Sequence, residues 1–246
     1  MTEYIYLSPH PDDAVLSCGA ILYDQVHRGH SVQVWTVLAG DPPPTGLSPL
    51  AQEIHQRWQT GTQAASLRRA EDRLACERLQ VIPQHFTYLD CIYRTRAGTT
   101  QPLIEKNAEL FQPLPPSERP LIEGIAQHLR RILPPACTLV LPLGIGNHVD
   151  HQLVRQAGEA LGQACFYYAD FPYIGNTSEI SSFLPPNSSA RHFPLSKPAL
   201  TAWQYAVEAY TSQLSTFWTS LSAMHEAIAA YARSPLGNCL WVGRKN

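Results

Sequence analysis

Apolar and polar residues alternate along the chain in blocks that predict an α/β fold. Short apolar runs rich in β-branched residues predict buried strands, and longer segments with apolar residues three and four positions apart predict helices. The predicted strands are residues 4–7, 31–38, 85–89, 138–141, 165–169 and 239–242. The predicted helices are residues 13–28, 50–79, 117–133, 152–161 and 198–232, the last with room for a break. Strands alternating with helices indicate a mainly parallel sheet, whose ligands bind beyond the carboxyl ends of the strands.

Length and composition agree with this pattern. The chain has 246 residues, of which 44% are hydrophobic and 15% charged, a balance typical of a protein with a buried core. A length near 250 residues is within the range of one α/β domain, so we expect a single domain over residues 1–246. Residues 94–116 are polar and rich in proline, which predicts an irregular insertion between two elements.

Charge and motif content exclude several classes of protein. The formal net charge is −2, which argues against a nucleic-acid partner. No run of about 18 apolar residues and no positively charged leader is present, so we expect no membrane span and a cytoplasmic location. The six cysteines form no C-x-x-C pair, which argues against a disulfide framework or a structural zinc site. No glycine-rich nucleotide-binding motif follows a predicted strand.

Reactive side chains are concentrated in two segments. The sequence H-P-D-D occupies residues 10–13 after the first predicted strand, and H-V-D-H occupies residues 148–151 after the fourth. Histidine and aspartate are zinc ligands, and a catalytic zinc site takes three protein ligands and keeps one position open for water. His10, Asp13 and His151 could supply that set.

The neighbouring residues can take the other roles of a hydrolytic site. Asp12 must project in a different direction from Asp13, so it could act as a general base. His148 lies three residues before His151, close enough to share the site, and Asp150 could hydrogen-bond an imidazole N–H. The alternative reading is structural: Asp13 caps the following helix and the two histidines are an incidental pair at the surface.

The two segments resemble the motifs of the LmbE-like, or PIG-L-like, family of zinc-dependent N-deacetylases. The resemblance rests on L-S-P-H-P-D-D-A-V-L-S-C-G at residues 7–19 and N-H-V-D-H-Q at residues 147–152. Supporting similarity is found at R-R-A-E-D, residues 68–72, at L-D-C-I-Y-R, residues 89–94, and at Y-T-S-Q, residues 210–213.

The resemblance implies a fold, a reaction and a site. The implied fold is a three-layer, Rossmann-like α/β structure with a mainly parallel sheet. The implied reaction is hydrolysis of the N-acetyl group of an N-acetylated amino sugar or sugar conjugate. Zn²⁺ would be held by His10, Asp13 and His151, with Asp12 as the general base. His148 matches a histidine that, when protonated, stabilises the oxyanion or protonates the leaving amine.

Substrate recognition is the less determined part of the prediction. The family motif continues H-P-D-D-E, whereas this chain has Ala14, which removes a carboxylate without removing a proposed ligand or the base. Arg68 matches an arginine that contacts substrate in related enzymes, although it could instead pair with Glu71 on the same helix. Four further candidates lie in loops after predicted strands, where they could bind sugar hydroxyls or cap turns: Asp41, Asp90, Arg94 and Asp170.

Two other functions remain compatible with the residues. The same site chemistry permits a metal-dependent amidase that acts on a non-sugar small molecule. The absence of the fifth motif carboxylate makes a non-catalytic zinc-binding or carbohydrate-binding domain conceivable. The metal is also open, because a site of two histidines and one aspartate accepts Fe²⁺ as well as Zn²⁺.

Overall fold

The computed structural model describes residues 1–58, 61–176 and 180–243, and its elements alternate as the sequence predicts. The strands are β1 (Glu3–Ser8), β2 (Ser31–Thr36), β3 (Ile82–His85), β4 (Thr138–Pro142), β5 (Cys165–Tyr168), β6 (Ser189–His192) and β7 (Cys239–Val242). The helices are α1 (Asp13–His27), α2 (Pro49–Trp58), α3 (Ala64–Leu79), α4 (Arg119–Ile132), α5 (Val149–Glu159), α6 (Lys197–Val207), α7 (Thr211–Phe217) and α8 (Leu221–Arg233).

The strands form one seven-stranded sheet in the order β3-β2-β1-β4-β5-β7-β6. The first five strands in this order are parallel, whereas β7 runs antiparallel to both β5 and β6. The strand order reverses direction at β1, whose neighbours are β2 on one side and β4 on the other. In open α/β sheets this switch point opens a crevice at the carboxyl ends of the strands.

Helices cover both faces of the sheet, which gives three layers. Successive residues of β1 face opposite sides: Tyr4 and Tyr6 belong to one hydrophobic core, and Ile5 and Leu7 belong to the other. The first core packs against α1, α3, α6 and α8, and the second against α4 and α5. A strand buried on both faces is apolar throughout, which is the pattern that predicted these strands.

Helices α1 and α6 approach closely because Gly19 has no side chain. A Cβ atom at Gly19 would lie 2.0 Å from Cδ1 of Trp203, a residue that is fully buried. The indole N–H of Trp203 donates a hydrogen bond to the carbonyl oxygen of Val15 at 2.8 Å. This hydrogen bond joins α6 to α1 and so helps to fix the loop that precedes α1.

A third, smaller core lies beside the carboxyl edge of the sheet. It joins α2 to the insertion after β3, and its buried members are Leu50, Ala51, Ile54, Cys91, Ile92, Leu103, Ile104, Leu110 and Val149. The insertion contains only turns, bridges and short 3₁₀ helices in its described residues, as its proline content predicts. The insertion and α2 therefore lie beside the switch point of the sheet.

The α/β prediction is confirmed, and the differences concern individual elements. The predicted helix over 50–79 is two helices, because Gly61, in a left-handed conformation with φ of 52°, lies between Trp58 and Ala64. The predicted helix over 198–232 is three helices, with α8 restarted by Ser220, whose hydroxyl accepts from the N–H of Ala223.

Two strand predictions also change. The strand predicted over 85–89 lies earlier, at residues 82–85, which pair with β2, and beyond it an isolated antiparallel bridge joins Thr87 to Leu38. Strand β6 was missed: its four residues are all exposed, so it carries no apolar alternation. Among the described helices, none is both long enough and apolar enough to cross a membrane.

Candidate active site

The two reactive segments meet at the switch point of the sheet. H-P-D-D directly follows β1 and enters α1, while H-V-D-H follows β4 and enters α5. Because β1 and β4 are paired neighbours in parallel orientation, their carboxyl ends bring the two segments together. Helix α5 begins at Val149, three residues before the prediction, so His148 is its N-cap and His151 lies in its first turn.

Local hydrogen bonds set the shape of the first segment. The Ser8 hydroxyl accepts from the N–H of Ala14 and donates to the carbonyl oxygen of His10. The N–H of His10 donates to Oδ2 of Asp13 at 2.8 Å. Asp12 has a φ of 131°, an unusual conformation for a residue other than glycine, and its side chain caps no helical N–H. Strained backbone of this kind is concentrated at functional sites.

Three imidazoles converge in the crevice. The ring centroids of His10, His148 and His151 are 5.1 to 5.6 Å apart. Nδ1 of His10 lies 3.1 Å from Oδ2 of Asp13, and Nε2 of His151 lies 3.4 Å from Oδ1 of the same carboxylate. One ligand atom from each of His10, Asp13 and His151 can therefore be chosen so that all lie within 4.8 Å of one another.

A buried carboxylate supports each of the two histidines that face Asp13. Nε2 of His10 bonds Oδ2 of Asp150 at 2.9 Å, and Nδ1 of His151 bonds Oδ1 of Asp170 at 2.6 Å. Asp150 is fully buried and Asp170 is 1% exposed. When each ring carries a single proton, these contacts hold it on the nitrogen that faces away from Asp13, and the nitrogen nearest Asp13 can then bind a metal ion.

The donor set fits a divalent metal ion. Nε2 of His151 is fully buried and has no hydrogen-bond partner among the described residues. A buried polar atom without a partner is costly, and a metal ion would satisfy it. Two other groups have suitable spacing, but both include Asp150, which is already bonded to His10, to the Cys91 N–H and to Arg94. The set formed by His10, Asp13 and His151 is therefore the best candidate to bind a metal ion.

The electrostatics of the cluster favour a cation. Burial opposes ionisation of Asp13, but His151 and His10 hold the pKa of this carboxyl well below its ordinary value. Burial opposes protonation of His151, but Asp13 and Asp170 raise its pKa to about 10. Burial acts in the same way on His10, where Asp90, Asp13 and Asp150 raise the pKa well above the ordinary value. A metal ion would displace these protons.

Asp12 and His148 face the same pocket under different influences. Burial raises the pKa of Asp12 to about 8, with Arg68 opposing the increase. Burial and the neighbouring His10 and His151 lower the pKa of His148 well below its ordinary value. The N–H of Asp150 donates to Nδ1 of His148 at 3.2 Å, which leaves the ring proton on Nε2. Neutral His148 is thus a hydrogen-bond donor.

Two of the predicted substrate contacts line the pocket. Arg68 is 7% exposed and lies 3.6 Å from Asp12 and 3.8 Å from Asp90, so its charge faces the pocket. It does not pair with Glu71, which accepts hydrogen bonds from Thr211 and Ser212 instead. Asp90 also lines the pocket.

The other three predicted contacts lie outside the pocket wall. Asp170 lies behind His151, whose Nδ1 it bonds. Arg94 is buried and forms ion pairs with Glu118 and Asp150 at 2.7 Å each. The Asp41 side chain is 72% exposed and pairs with Arg69. Their position after strands placed all three near the edge of the sheet, but the direction of each side chain depends on its tertiary partners.

The apolar wall of the pocket was not predicted from the sequence. It is formed by Ile54, Trp58, Ile92, Leu110, Phe111, Tyr173 and Phe217. Apolar residues at a pocket wall follow the same sequence pattern as residues of a core, so periodicity does not separate them. The aromatic Phe111 in a polar, proline-rich insertion was the one available signal.

Comparisons with known proteins agree with this arrangement. The model of the PIG-L family, described as GlcNAc-PI de-N-acetylase, matches residues 5–161. A 2'-N-acetylparomamine deacetylase from Niallia circulans is 32% identical over 194 residues, which cover 69% of this chain and 67% of that protein. A protein of the same name from Streptomyces fradiae is 26% identical over 183 residues, and the match spans 59% of its length.

A solved structure is similar over nearly the whole chain. The crystal structure of the zinc inhibited form of teicoplanin deacetylase Orf2 has a TM-score of 0.83 and 29% sequence identity, with 98% of this chain and 97% of that chain covered. The family match covers more than half of the chain and includes both reactive segments. The resemblance inferred from the two motifs is therefore confirmed, and the chain belongs to the PIG-L family, described as GlcNAc-PI de-N-acetylase.

Proposed function

We propose that the protein is a metal-dependent hydrolase that removes the N-acetyl group from an N-acetylated amino sugar or sugar conjugate. The observation that carries this proposal is the convergence of His10, Asp13 and His151 beside Asp12, with the buried Nε2 of His151 near Asp13 but without a hydrogen-bond partner among the described residues. The names of the two acetylparomamine deacetylases and of the teicoplanin deacetylase support the reaction class.

We propose that His10, Asp13 and His151 hold the ion and that Zn²⁺ is the native metal. When bound, Zn²⁺ would polarise the amide carbonyl and lower the pKa of water to about 7. Asp150 and Asp170 hold the protons of His10 and His151 away from the ion and keep both rings oriented. Fe²⁺ is the alternative, since two imidazoles and a carboxylate suit several divalent metals.

Asp12 acts as the general base in this proposal. Its carboxylate, which ionises as the pH rises through its pKa of about 8, takes a proton from the attacking water while the water oxygen bonds to the carbonyl carbon. The C–N bond then breaks, and Asp12 returns the proton to the leaving nitrogen, so the products are the free amine and acetic acid, which ionises to acetate. Asp12 is suited to this exchange because it lines the pocket and its side chain caps no helical N–H.

His148 stabilises the charge that develops on the carbonyl oxygen. Because its Nδ1 accepts the Asp150 N–H, its Nε2–H is available to donate a hydrogen bond to that oxygen. This role needs a donor and no proton transfer, so it suits the neutral ring that burial favours. Arg68 orients Asp12, and Arg68 and Asp90 offer polar contacts to the sugar.

Metal-stripped protein, reloaded separately with Zn²⁺ or Fe²⁺, tests the proposal. We expect one equivalent of metal to restore acetate release from N-acetylglucosamine conjugates or from 2'-N-acetylparomamine. Acetate released only from N-acetylated non-sugar amines would favour the amidase alternative. Metal binding with no acetate from any substrate would favour a non-catalytic binding domain. Excess Zn²⁺ belongs in the titration because the teicoplanin deacetylase relative has a zinc inhibited form.

A further inference from the structure

The candidate active-site pocket has two chemically different parts. Its volume is about 350 Å³, at the lower end of the range for small-ligand sites. The floor is polar and consists of His10, Asp12, Asp13, Asp90 and His148 with Arg68. Most of the wall above the floor is apolar, and the proposed reaction assigns no role to its aliphatic residues. The wall also has polar members, which are Arg57, Asn107, Gln213 and Thr216. Aliphatic side chains cannot bond the hydroxyl groups of a sugar.

Three aromatic rings of the wall form a continuous surface that starts at the floor. The ring of Phe111 meets His148 edge-on, with centroids 5.6 Å apart. Tyr173 follows at 6.1 Å from Phe111, and Phe217 lies 6.3 Å from Tyr173. The surface therefore adjoins the proposed metal site through two rings, because Tyr173 also meets His151 edge-on with centroids 5.4 Å apart, and Phe217 extends it.

Phe111 is exposed although large apolar residues nearby are buried. Its relative exposure is 41%, whereas its neighbour Leu110 is 9% exposed and belongs to the small core under the insertion. An exposed aromatic ring that continues a pocket wall favours an apolar ligand group, because covering the ring removes apolar area from water.

We propose that the substrate is an amino sugar that carries an apolar alkyl or aryl substituent, which packs against Phe111, Tyr173 and Phe217. This inference rests on the proposed deacetylation at the same site. The substituent belongs to the sugar side of the amide, because the relatives are named for acetyl removal and an acetyl methyl cannot extend across three rings. The apolar wall then selects conjugates over the free sugar.

Acetate release from the methyl and hexyl glycosides of N-acetylglucosamine tests this inference. Both have the same scissile amide, so they differ in the apolar group alone. We expect kcat/KM for the hexyl glycoside to be at least about 10-fold higher, mainly through a lower KM, because several methylene groups leave water. Equal kcat/KM values would overturn the inference and leave the proposed deacetylation intact.

Variants identify the surface that makes the contact. Phe111→Ser and Phe217→Ser should reduce the ratio of hexyl to methyl kcat/KM toward one. Leu221→Ser is the matched control, since Leu221 is 51% exposed on α8 and does not line the pocket, and it should keep the ratio of the unmodified protein. A ratio that stays high in both phenylalanine variants would refute the assignment to this wall.

Two further measurements on the unmodified protein keep the test independent of how the variants fold. Hexyl glucoside, which has no amide, should inhibit hydrolysis of the methyl glycoside at least about 10-fold more strongly than methyl glucoside does. N-hexanoylglucosamine places the apolar chain on the acyl side, and faster turnover of this compound than of the hexyl glycoside would overturn the inference. No acetate from any N-acetylated compound would count against the deacetylase function itself.

Discussion

Two regions enclose the same pocket and are built in different ways. The floor lies at the carboxyl ends of β1 and β4, and the proposed metal ligands at or behind it, His10, Asp13 and His151, are at most 7% exposed. The wall comes from α2, the insertion after β3, the segment after β5 that carries Tyr173, and α7, and its Phe111 is 41% exposed.

Because they are built differently, we expect substitutions in the floor and in the wall to change different properties of the protein. On the floor, buried carboxylates fix the orientation of two imidazoles, so small changes in geometry affect the proposed chemistry. On the wall, apolar side chains contribute contact area to a ligand and need not hold one fixed orientation. Substitutions there should therefore change which substrate binds. The variants below separate the two effects, starting with the largest.

Asp12→Asn should produce the largest loss of activity. Asparagine tolerates the positive φ of this position and keeps the volume, but it cannot accept a proton from water. We expect kcat to fall by about 10²–10⁴-fold with the metal content unchanged, measured by acetate release and metal analysis. Asp24→Asn on the outer part of α1 is the control. Turnover within a few-fold of normal would mean that another group is the base.

His151→Ala should remove the metal. Its Nε2 is buried and has no hydrogen-bond partner within the described part of the chain, and the substitution leaves only two of the three proposed ligands. We expect metal affinity to fall by more than about 100-fold, beyond the loss typical of a supporting residue, in a competition titration with a chelator. His128→Ala, which removes a histidine bonded to Tyr88, should keep normal affinity. Full occupancy of the His151 variant would show that the ligand set is different.

Asp170→Asn tests the support behind the floor. The carboxylate accepts from His151 Nδ1 and from the N–H of Ile145, so the variant weakens the orientation of the ring without removing it. We expect a loss of about 10–100-fold in metal affinity. Asp41→Asn, at an exposed carboxylate paired with Arg69, should leave this affinity unchanged. An equal effect at the two positions would contradict the distinction between them.

Glu71→Gln should affect the wall and spare the floor. Its carboxylate accepts three hydrogen bonds from Thr211 and Ser212, which fix the start of α7, the helix that carries Phe217. We expect the free energy of unfolding to fall by about 1–3 kcal/mol and KM to rise a few-fold, with metal affinity unchanged. Glu226→Gln, an exposed glutamate bonded to Ser222, is the matched control. Altered metal affinity in the Glu71 variant would show that floor and wall are coupled.

The floor was accessible to sequence reasoning because its residues are close in sequence to the ends of apolar strands. Residues 10–13 and 148–151 follow strands whose apolar runs are easily recognised in the sequence. A parallel sheet brings the carboxyl ends of such strands to one edge. The prediction that Asp41, Arg94 and Asp170 contact substrate used the same reasoning. It located the loops, but side-chain direction within a loop depends on partners such as Arg69, Glu118 and His151 that are far away in sequence.

Hydrophobic periodicity and ligand type are local properties, so the α/β fold, the order of most elements and the proposed metal ligands could be predicted from the chain alone. Tertiary packing determines which carboxylates support the histidines and which apolar side chains leave the core to line the pocket. These features depend on contacts between residues separated by tens of positions. Such contacts form only when the layers pack, so no local pattern specifies them.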